Sequence, residues 1–109
     1  MESNEINTKI NYCNNDLNDY LFDLYNRSSL LAVDTEAMGL VHGRDRLCLI
    51  QICNENDITT CIRIDQNQKS SEKIKKLFED KEITKIFHFA RFDIAALKCN
   101  LGINTKNIF

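Results

Sequence analysis

Apolar and polar positions along the chain form short runs that predict the strands and helices of one α/β domain. Near-continuous apolar runs bounded by polar residues are typical of buried strands, and apolar residues at i, i+3, i+4 and i+7 are typical of amphipathic helices. Strands are predicted at residues 8–12, 30–35, 47–53, 58–64 and 83–89. Helices are predicted at residues 71–79 and 91–100, and a further helix carries an apolar face of Leu17, Tyr20, Leu21 and Leu24.

The spacing of these elements predicts how the strands pair. Residues 30–35, 47–53 and 58–64 follow one another through loops without a helix, and residues 54–57 are predicted to form a hairpin turn, so these strands should pair antiparallel. The strand at residues 83–89 follows a helix, which makes it a parallel neighbour through a right-handed crossover. The predicted fold is therefore α/β, with a mixed sheet of three antiparallel strands plus a parallel strand and flanking helices.

Polar residues beside the helices predict where the helices begin and end. Asn14, Asn15 or Asp16 is the expected cap of the first helix, and Ser70 or Ser71 is the expected cap of the second. Gly102 is the expected stop of the last helix. Residues 39–46 are predicted to form a loop.

Three carboxylates stand where predicted strands or helices end or begin. Asp34 and Glu36 come at the end of the apolar run 30–33 and, being two apart on a strand, share one face. Asp93 follows the strand at residues 83–89. If these two strands are neighbours, the three acids converge at one end of the sheet, where a bound divalent cation would offset their mutual repulsion. The pattern therefore predicts a divalent-metal site.

Each of these residues also has a simpler explanation. Asp34 and Glu36 can lie at a solvated strand end, and Asp93 is favoured in the first helical turn by the helix dipole.

Both histidines and Arg91 also lie near these acids in the sequence. His88 is expected in the core and His42 in a solvated loop. Arg91, close to Asp93, is a candidate for contacting a phosphate.

Composition and charge narrow the class of protein. With 109 residues and a net charge of −2, the chain is one small domain without an overall basic field, so a nucleic-acid partner would be held locally or through metal. No apolar run approaches the length of a membrane span. The number of cysteines is odd, at 5, and no two follow C-x-x-C spacing, which favours reduced thiols in a cytoplasmic protein.

Two segments resemble the exonuclease motifs of ribonuclease D. Residues 31–40, with LAVDTEAMGL, and the following RDRLCLIQ at 44–51 resemble its first motif and next strand. Residues 85–93, with KIFHFARFD, resemble its second motif. The resemblance is closest to the short, single-domain ribonuclease D proteins of alphaproteobacteria and covers nearly the whole chain after about residue 8.

The resemblance implies a ribonuclease-H-like fold and the activity of a DEDD-superfamily 3′–5′ exonuclease. In that family two Mg²⁺ or Mn²⁺ ions lie on four acids. By motif match, the catalytic metal ligands in this sequence would be Asp34, Glu36 and Asp93, and Asp34 would bridge both ions. The backbone at Met38, Gly39 and Leu40 would cradle the 3′-terminal nucleotide.

The third motif of the family, a Tyr or His four residues before a last Asp on a helix well downstream of the second motif, has no counterpart after Asp93 in this sequence. The chain is thus expected to be a partial exonuclease domain acting on RNA 3′ ends, incomplete alone. The alternatives are an inactive fragment and a metal-dependent nucleic-acid-binding module.

The chain ends on apolar residues as if inside an element, and residues 83–89 are expected to form an exposed edge. That edge favours self-association or binding to a separately encoded C-terminal half.

Overall fold

The computed structural model describes residues 10–38 and 46–109, which form a five-stranded mixed sheet with three helices. The strands are β1 (Ile10–Asn14), β2 (Leu30–Ala37), β3 (Leu47–Asn54), β4 (Thr59–Arg63) and β5 (Thr84–Phe87). The helices are α1 (Asp19–Asn26), α2 (Glu72–Phe78) and α3 (Ala90–Leu101). The predicted loop at residues 39–46, with Gly39, Gly43 and His42, lies outside the described residues except for Arg46.

The strand order confirms the predicted topology. The order is β1-β4-β3-β2-β5. Strands β2, β3 and β4 pair antiparallel, whereas β5 pairs parallel to β2 and β1 pairs parallel to β4. The predicted hairpin turn is also present, and Asn54 holds it because its Oδ1 accepts the backbone N–H groups of Asn56 and Ile58 at 3.0 Å each.

The core of the described residues lies on one face of the sheet, which we call the covered face. Its strand residues are Leu31, Val33, Ile50, Ile52 and Ile62, each at most 3% exposed. All three helices contribute to the same cluster, which contains Leu21, Tyr25, Ile74, Leu77, Phe78, Ala96, Leu97 and Leu101. The opposite side, which we call the open face, carries the alternate residues of the same strands, and none of them is buried.

The predicted cap of the first helix is wrong, whereas the cap position of the second helix is confirmed. Helix α1 is capped by Asn18, whose Oδ1 accepts the Leu21 N–H at 2.8 Å. At α2, Ser71 occupies the cap position without a side-chain cap bond. The capping oxygens come instead from Asp16, which accepts the N–H groups of Lys73 and Ile74 at 3.0 Å each.

Two further predictions about helices can be compared with the structure. The helical spacing predicts Tyr20 on the apolar face of α1, but Tyr20 is 72% exposed, because Leu21 and Tyr25 form the buried stripe of the helix. Gly102 ends α3 as predicted, in the left-handed conformation at φ 67°. Within the described residues, no helix has the length and hydropathy needed to cross a membrane.

The outer edge of β5 is less exposed than the sequence predicts. β5 is the last strand of the sheet, and the prediction places Ile83 on its exposed edge. Ile83, the residue just before β5, is only 1% exposed. The Lys85 N–H donates to the Asn107 carbonyl at 2.8 Å, and the Phe109 N–H donates to the Lys85 carbonyl at 2.9 Å. Ile108 thereby forms a parallel bridge beside Lys85. The segment 107–109 therefore covers part of the edge, while Phe109 itself remains 89% exposed.

Candidate active site

Strand β2 places the two acids of the D-x-E motif on the open face. Side chains alternate along a strand, so Asp34 and Glu36 are exposed while Thr35 between them is buried on the covered face. Asp34 lies opposite Gln51 of β3, and the register shifts at a bulge between Glu36 and Ala37. The bulge comes directly after the second acid, where bulges often redirect side chains beside active sites.

Asp93 reaches the same region from α3. It lies in the first turn of that helix and is only 2% exposed, although it is an acid. Its Oδ1 accepts the Thr35 hydroxyl at 2.5 Å. Its Oδ2 is buried and has no hydrogen-bond partner. Asp93 therefore occupies the position favoured by the helix dipole, but the dipole does not account for an orphaned buried oxygen.

All three predicted acids line one cavity of about 550 Å³. Its walls are formed by Asp34, Thr35, Glu36, Ala37, Phe89, Phe92 and Asp93. No Lys or Arg is among these lining residues, so no basic side chain of the wall neutralises the acids. The predicted convergence at one end of the sheet is confirmed to this extent.

The side chains do not form a finished metal cluster. No group of three or more His, Cys, Asp or Glu residues within 10–38 and 46–109 is arranged to hold a metal ion. The donor chemistry nonetheless fits a divalent cation, because carboxylate oxygens are the ligands that Mg²⁺ and Mn²⁺ prefer. The orphaned Oδ2 of Asp93 is one oxygen that such an ion would satisfy.

The electrostatics of Asp93 agree with this interpretation. Burial raises the pKa of its carboxyl above the usual value. The hydrogen bond from Thr35 opposes that shift, and the negative charge of Asp34 adds to it. A divalent cation in the cavity would favour the ionised carboxylate. It would therefore oppose the rise in the pKa of Asp93 that burial and the Asp34 charge cause.

The remaining predicted residues are distributed around this cavity. Met38 is 62% exposed at the end of β2, with its N–H donating to the Arg46 carbonyl at 3.0 Å. Gly39 and Leu40 lie outside the described residues. Arg91 is exposed in the first turn of α3.

His88 is exposed, so its predicted place in the core is wrong. Its ring contacts Phe89 edge-on with centroids 4.4 Å apart. The reason is that β5 ends at Phe87, so His88 already belongs to the turn before α3. His88 also borders a second cavity of about 330 Å³ on the open face, which shares Asp34 with the first.

Sequence reasoning missed Thr35, Phe89 and Phe92 as residues of the site. For Thr35 the signal was available, because the residue between two acids on a strand must face the other side. For Phe89 and Phe92 no pattern in the sequence distinguishes a cavity wall from a core position.

Comparisons with known proteins identify the class. The 3′–5′ exonuclease domain family matches residues 8–109, and the chain belongs to that family. Its fold is ribonuclease-H-like, and the exonucleases of this family act with divalent metal ions. No match is found among curated proteins.

The chain is similar to solved structures of one bacterial nuclease in particular. It is 39% identical to Brucella melitensis NrnC bound to pGG, with a TM-score of 0.87, covering 94% of this chain and 48% of that one. It is 40% identical to Brucella melitensis NrnC with bound Mg²⁺, with a TM-score of 0.86, covering 92% and 48%. The catalytic core of RRP6 from Trypanosoma brucei shares the fold at 19% identity, with a TM-score of 0.67, covering 96% of this chain and 30% of that one. The chain spans about half the length of the NrnC structures.

Proposed function

We propose that this chain is the part of a ribonuclease D-type 3′–5′ exonuclease that carries the first and second motifs. In this proposal Asp34, Glu36 and Asp93 hold Mg²⁺ or Mn²⁺, and the substrate is the 3′ end of RNA. The observation that carries the proposal is the cavity in which all three acids meet, with one buried Asp93 oxygen left without a partner. The similarity to NrnC structures with bound Mg²⁺ and with pGG supports it.

In this proposal the residues of the chain have different roles in binding the metal ions and the RNA. Asp34 and Glu36 supply exposed oxygens on the open face, and Asp93 supplies a buried oxygen from the helix side. Bound divalent ions supply an activated water and stabilisation of the leaving 3′ oxygen. Arg91 is exposed close to Asp93 and is proposed to contact a phosphate. The backbone at Met38, Gly39 and Leu40 is proposed to bind the terminal nucleotide.

Hydrolysis requires more than these residues. The family arrangement uses four acids, and the chain spans about half of each NrnC structure it matches. The fourth acid and its Tyr or His companion would come from the part of the domain that corresponds to the unmatched half of NrnC, for example from a separate C-terminal chain. The activity of the whole exonuclease is therefore part of the proposal.

One observation favours a second candidate function, a metal-dependent nucleic-acid-binding module without hydrolysis. Three acids of the described residues line one cavity, whereas the chain spans only about half of each NrnC structure it matches. A module of this kind would bind RNA in a salt-dependent way and leave it intact. An inactive fragment would bind neither metal nor RNA at this site.

The experiment combines metal binding with a cleavage assay on the 109-residue chain. Paramagnetic broadening by Mn²⁺ should centre on residues 34–36 and 93 in the labelled protein. Single-stranded RNA labelled at its 5′ end, and pGG, are then incubated with Mg²⁺, with Mn²⁺ and with chelator. Asp34→Asn should abolish the broadening, whereas Asp23→Asn, an exposed acid on α1, should not.

The outcomes separate the candidates. Shortening of RNA from the 3′ end that depends on metal and on Asp34 supports the exonuclease. A weak reaction that becomes stronger when the C-terminal half of NrnC is added in trans supports it as well. Binding without shortening, even with that half present, supports the binding module. Broadening centred elsewhere would contradict the metal site itself.

A further inference from the structure

The middle residue of the D-x-E motif contacts the acid of the second motif. Thr35 is 8% exposed and Asp93 is 2% exposed, and the Thr35 hydroxyl lies 2.5 Å from Asp93 Oδ1. An ionised carboxylate only accepts hydrogen bonds, so the hydroxyl is the donor. Bonds between a hydroxyl and a charged oxygen are short and stronger than neutral ones, which matches this distance.

The two ends of this hydrogen bond differ in how firmly they are held. Thr35 belongs to a strand that pairs with β3 from Leu31 to Ala37, so its position is fixed by the ladder. The ladder between β2 and β5 ends at Val33 and Phe87. Asp93 lies beyond that end, in the first turn of a helix whose cap residue, Phe89, makes no side-chain cap bond. The Thr35 hydroxyl is therefore a side-chain link from β2 to the start of α3 past the end of the ladder.

The same bond decides which carboxylate oxygen remains free. With Oδ1 accepting from Thr35, Oδ2 is the buried oxygen without a partner. A buried polar atom that stays unpaired is costly and uncommon unless it serves a ligand. The cavity that Asp93 lines also holds Asp34 and Glu36, the two acids on either side of Thr35.

We infer that Thr35 is a positioning residue for Asp93, and this rests on the function proposed above. Its hydroxyl fixes one oxygen of the carboxylate and leaves the other available to a divalent cation shared with Asp34 and Glu36. The alternation of β2 thus assigns three consecutive residues to one site: two acids on the open face and, between them, the hydroxyl that orients the third acid from the covered face.

The first test needs no metal. Three-bond couplings of the Asp93 side chain in labelled protein report whether χ1 occupies one rotamer. A single rotamer is expected in the native chain and in Thr35→Ser, which keeps the hydroxyl. Rotamer averaging is expected in Thr35→Val, which keeps the branched shape, and in Thr35→Ala, which serves if the valine variant does not fold. Thr60→Val removes another buried hydroxyl of the covered face, bonded to Tyr25, and should leave Asp93 fixed.

The second test measures Mn²⁺ affinity from paramagnetic broadening in the same variants. Loss of a hydrogen bond that orients a metal ligand typically weakens binding about 10-fold or more, so Thr35→Val and Thr35→Ala should raise the Mn²⁺ dissociation constant by about that factor. Thr35→Ser and Thr60→Val should remain within about twofold of the native chain, because neither removes the orienting hydroxyl.

The two measurements judge the two proposals separately. Asp93 fixed in one rotamer with unchanged Mn²⁺ affinity in both hydroxyl-free variants would overturn the role of Thr35, even if Mn²⁺ binds at the three acids. Broadening centred away from those acids would overturn the metal site of the proposed function. In that case the rotamer measurement alone supports or refutes the positioning of Asp93 by Thr35.

Discussion

The two faces of the sheet are built from the same strands but do different work. On the covered face, Leu31, Val33, Ile50, Ile52 and Ile62 are at most 3% exposed beneath three helices. On the open face, the alternate positions include Ala32, Asp34, Glu36, Leu49, Gln51, Cys53, Cys61 and Ile86, and none of them is buried. Strand alternation alone separates these two sets.

The difference indicates where stability and chemistry reside. Burial of apolar surface stabilises the fold by about 25 cal/mol per Å², so the covered face supplies most of the stability in the described residues. The open face carries two acids that would be expensive to bury unpaired. The candidate site lies where the two faces meet, at the end of β2, because Asp93 comes from the covered side and Asp34 and Glu36 from the other.

The largest predicted effect compares the same residue type on the two faces. Leu31→Ala removes a fully buried side chain and should lower the free energy of unfolding by about 2–5 kcal/mol. Leu49→Ala, opposite Glu36 on the open face, should cost less than about 1 kcal/mol, because Leu49 is only half-buried. Urea unfolding monitored by circular dichroism measures both. Equal losses would show that the open face is as well packed as the covered one.

A pH-dependent effect is predicted for Lys85, the one buried lysine among residues 10–38 and 46–109. Lys85 is 0% exposed, and its Nζ donates to the carbonyls of Leu77, Asp80 and Ile83 at 3.1, 2.7 and 2.7 Å. Burial lowers the pKa of Lys85 from 10.5 to about 8, and the nearby Asp80 charge opposes this only in part.

The sign follows from proton counting between pH 8 and 10.5. In that window the unfolded chain holds a proton on Lys85 that the folded chain has lost, so stability rises with pH. The gain should reach about 2 kcal/mol by pH 10 at about 1.4 kcal/mol per pKa unit. Above pH 10 the raised pKa of Tyr25, about 12 because of its burial, acts in the opposite direction.

Unfolding measured at successive pH values tests this prediction. Lys85→Met should remove the rise between pH 8 and 10, whereas Lys81→Met, an exposed lysine of the preceding turn, should retain it. A rise that persists in Lys85→Met would assign it to another group.

A smaller loss of stability is predicted when Asp16, whose side chain caps the N-terminus of α2, is replaced. Asp16 accepts backbone N–H groups from Leu17, Lys73 and Ile74 at 2.9–3.0 Å. Asp16→Ala should cost about 1–2 kcal/mol, the usual range for loss of a helix cap. Asp23→Ala, an exposed acid within α1, should change stability by less than about 0.5 kcal/mol. Chemical denaturation distinguishes them, and equal small losses would mean that Asp16 does not hold α2.

The smallest effect on stability is predicted at the acids of the open face. Asp34→Asn and Glu36→Gln should change the free energy of unfolding by less than about 0.5 kcal/mol, because both side chains are exposed. The same substitutions should abolish Mn²⁺ broadening at residues 34–36 and 93. A stability loss as large as that of Leu31→Ala would mean that these acids are structural.

Much of the fold follows from local pattern. Every predicted strand and helix is present within a few residues, because apolar runs and helical periodicity reflect burial over short stretches. The order of the antiparallel strands and the parallel placement of β5 also follow, since short turns and helical crossovers leave few topologies. The failures are Tyr20, His88 and the N-terminal cap of α1, and each depends on where an element begins or ends rather than on whether it exists.

The sequence by itself determined the strands, the two exonuclease motifs and the family, because these depend on residue type and spacing along the chain. Only the tertiary structure decided that Asp16 accepts the first N–H groups of a helix beginning at Glu72, that Lys85 is buried against three carbonyls, and that the Thr35 hydroxyl donates to Asp93. The reason is physical. These contacts join atoms on different elements, and their geometry is fixed only when the helices pack on one face of the sheet.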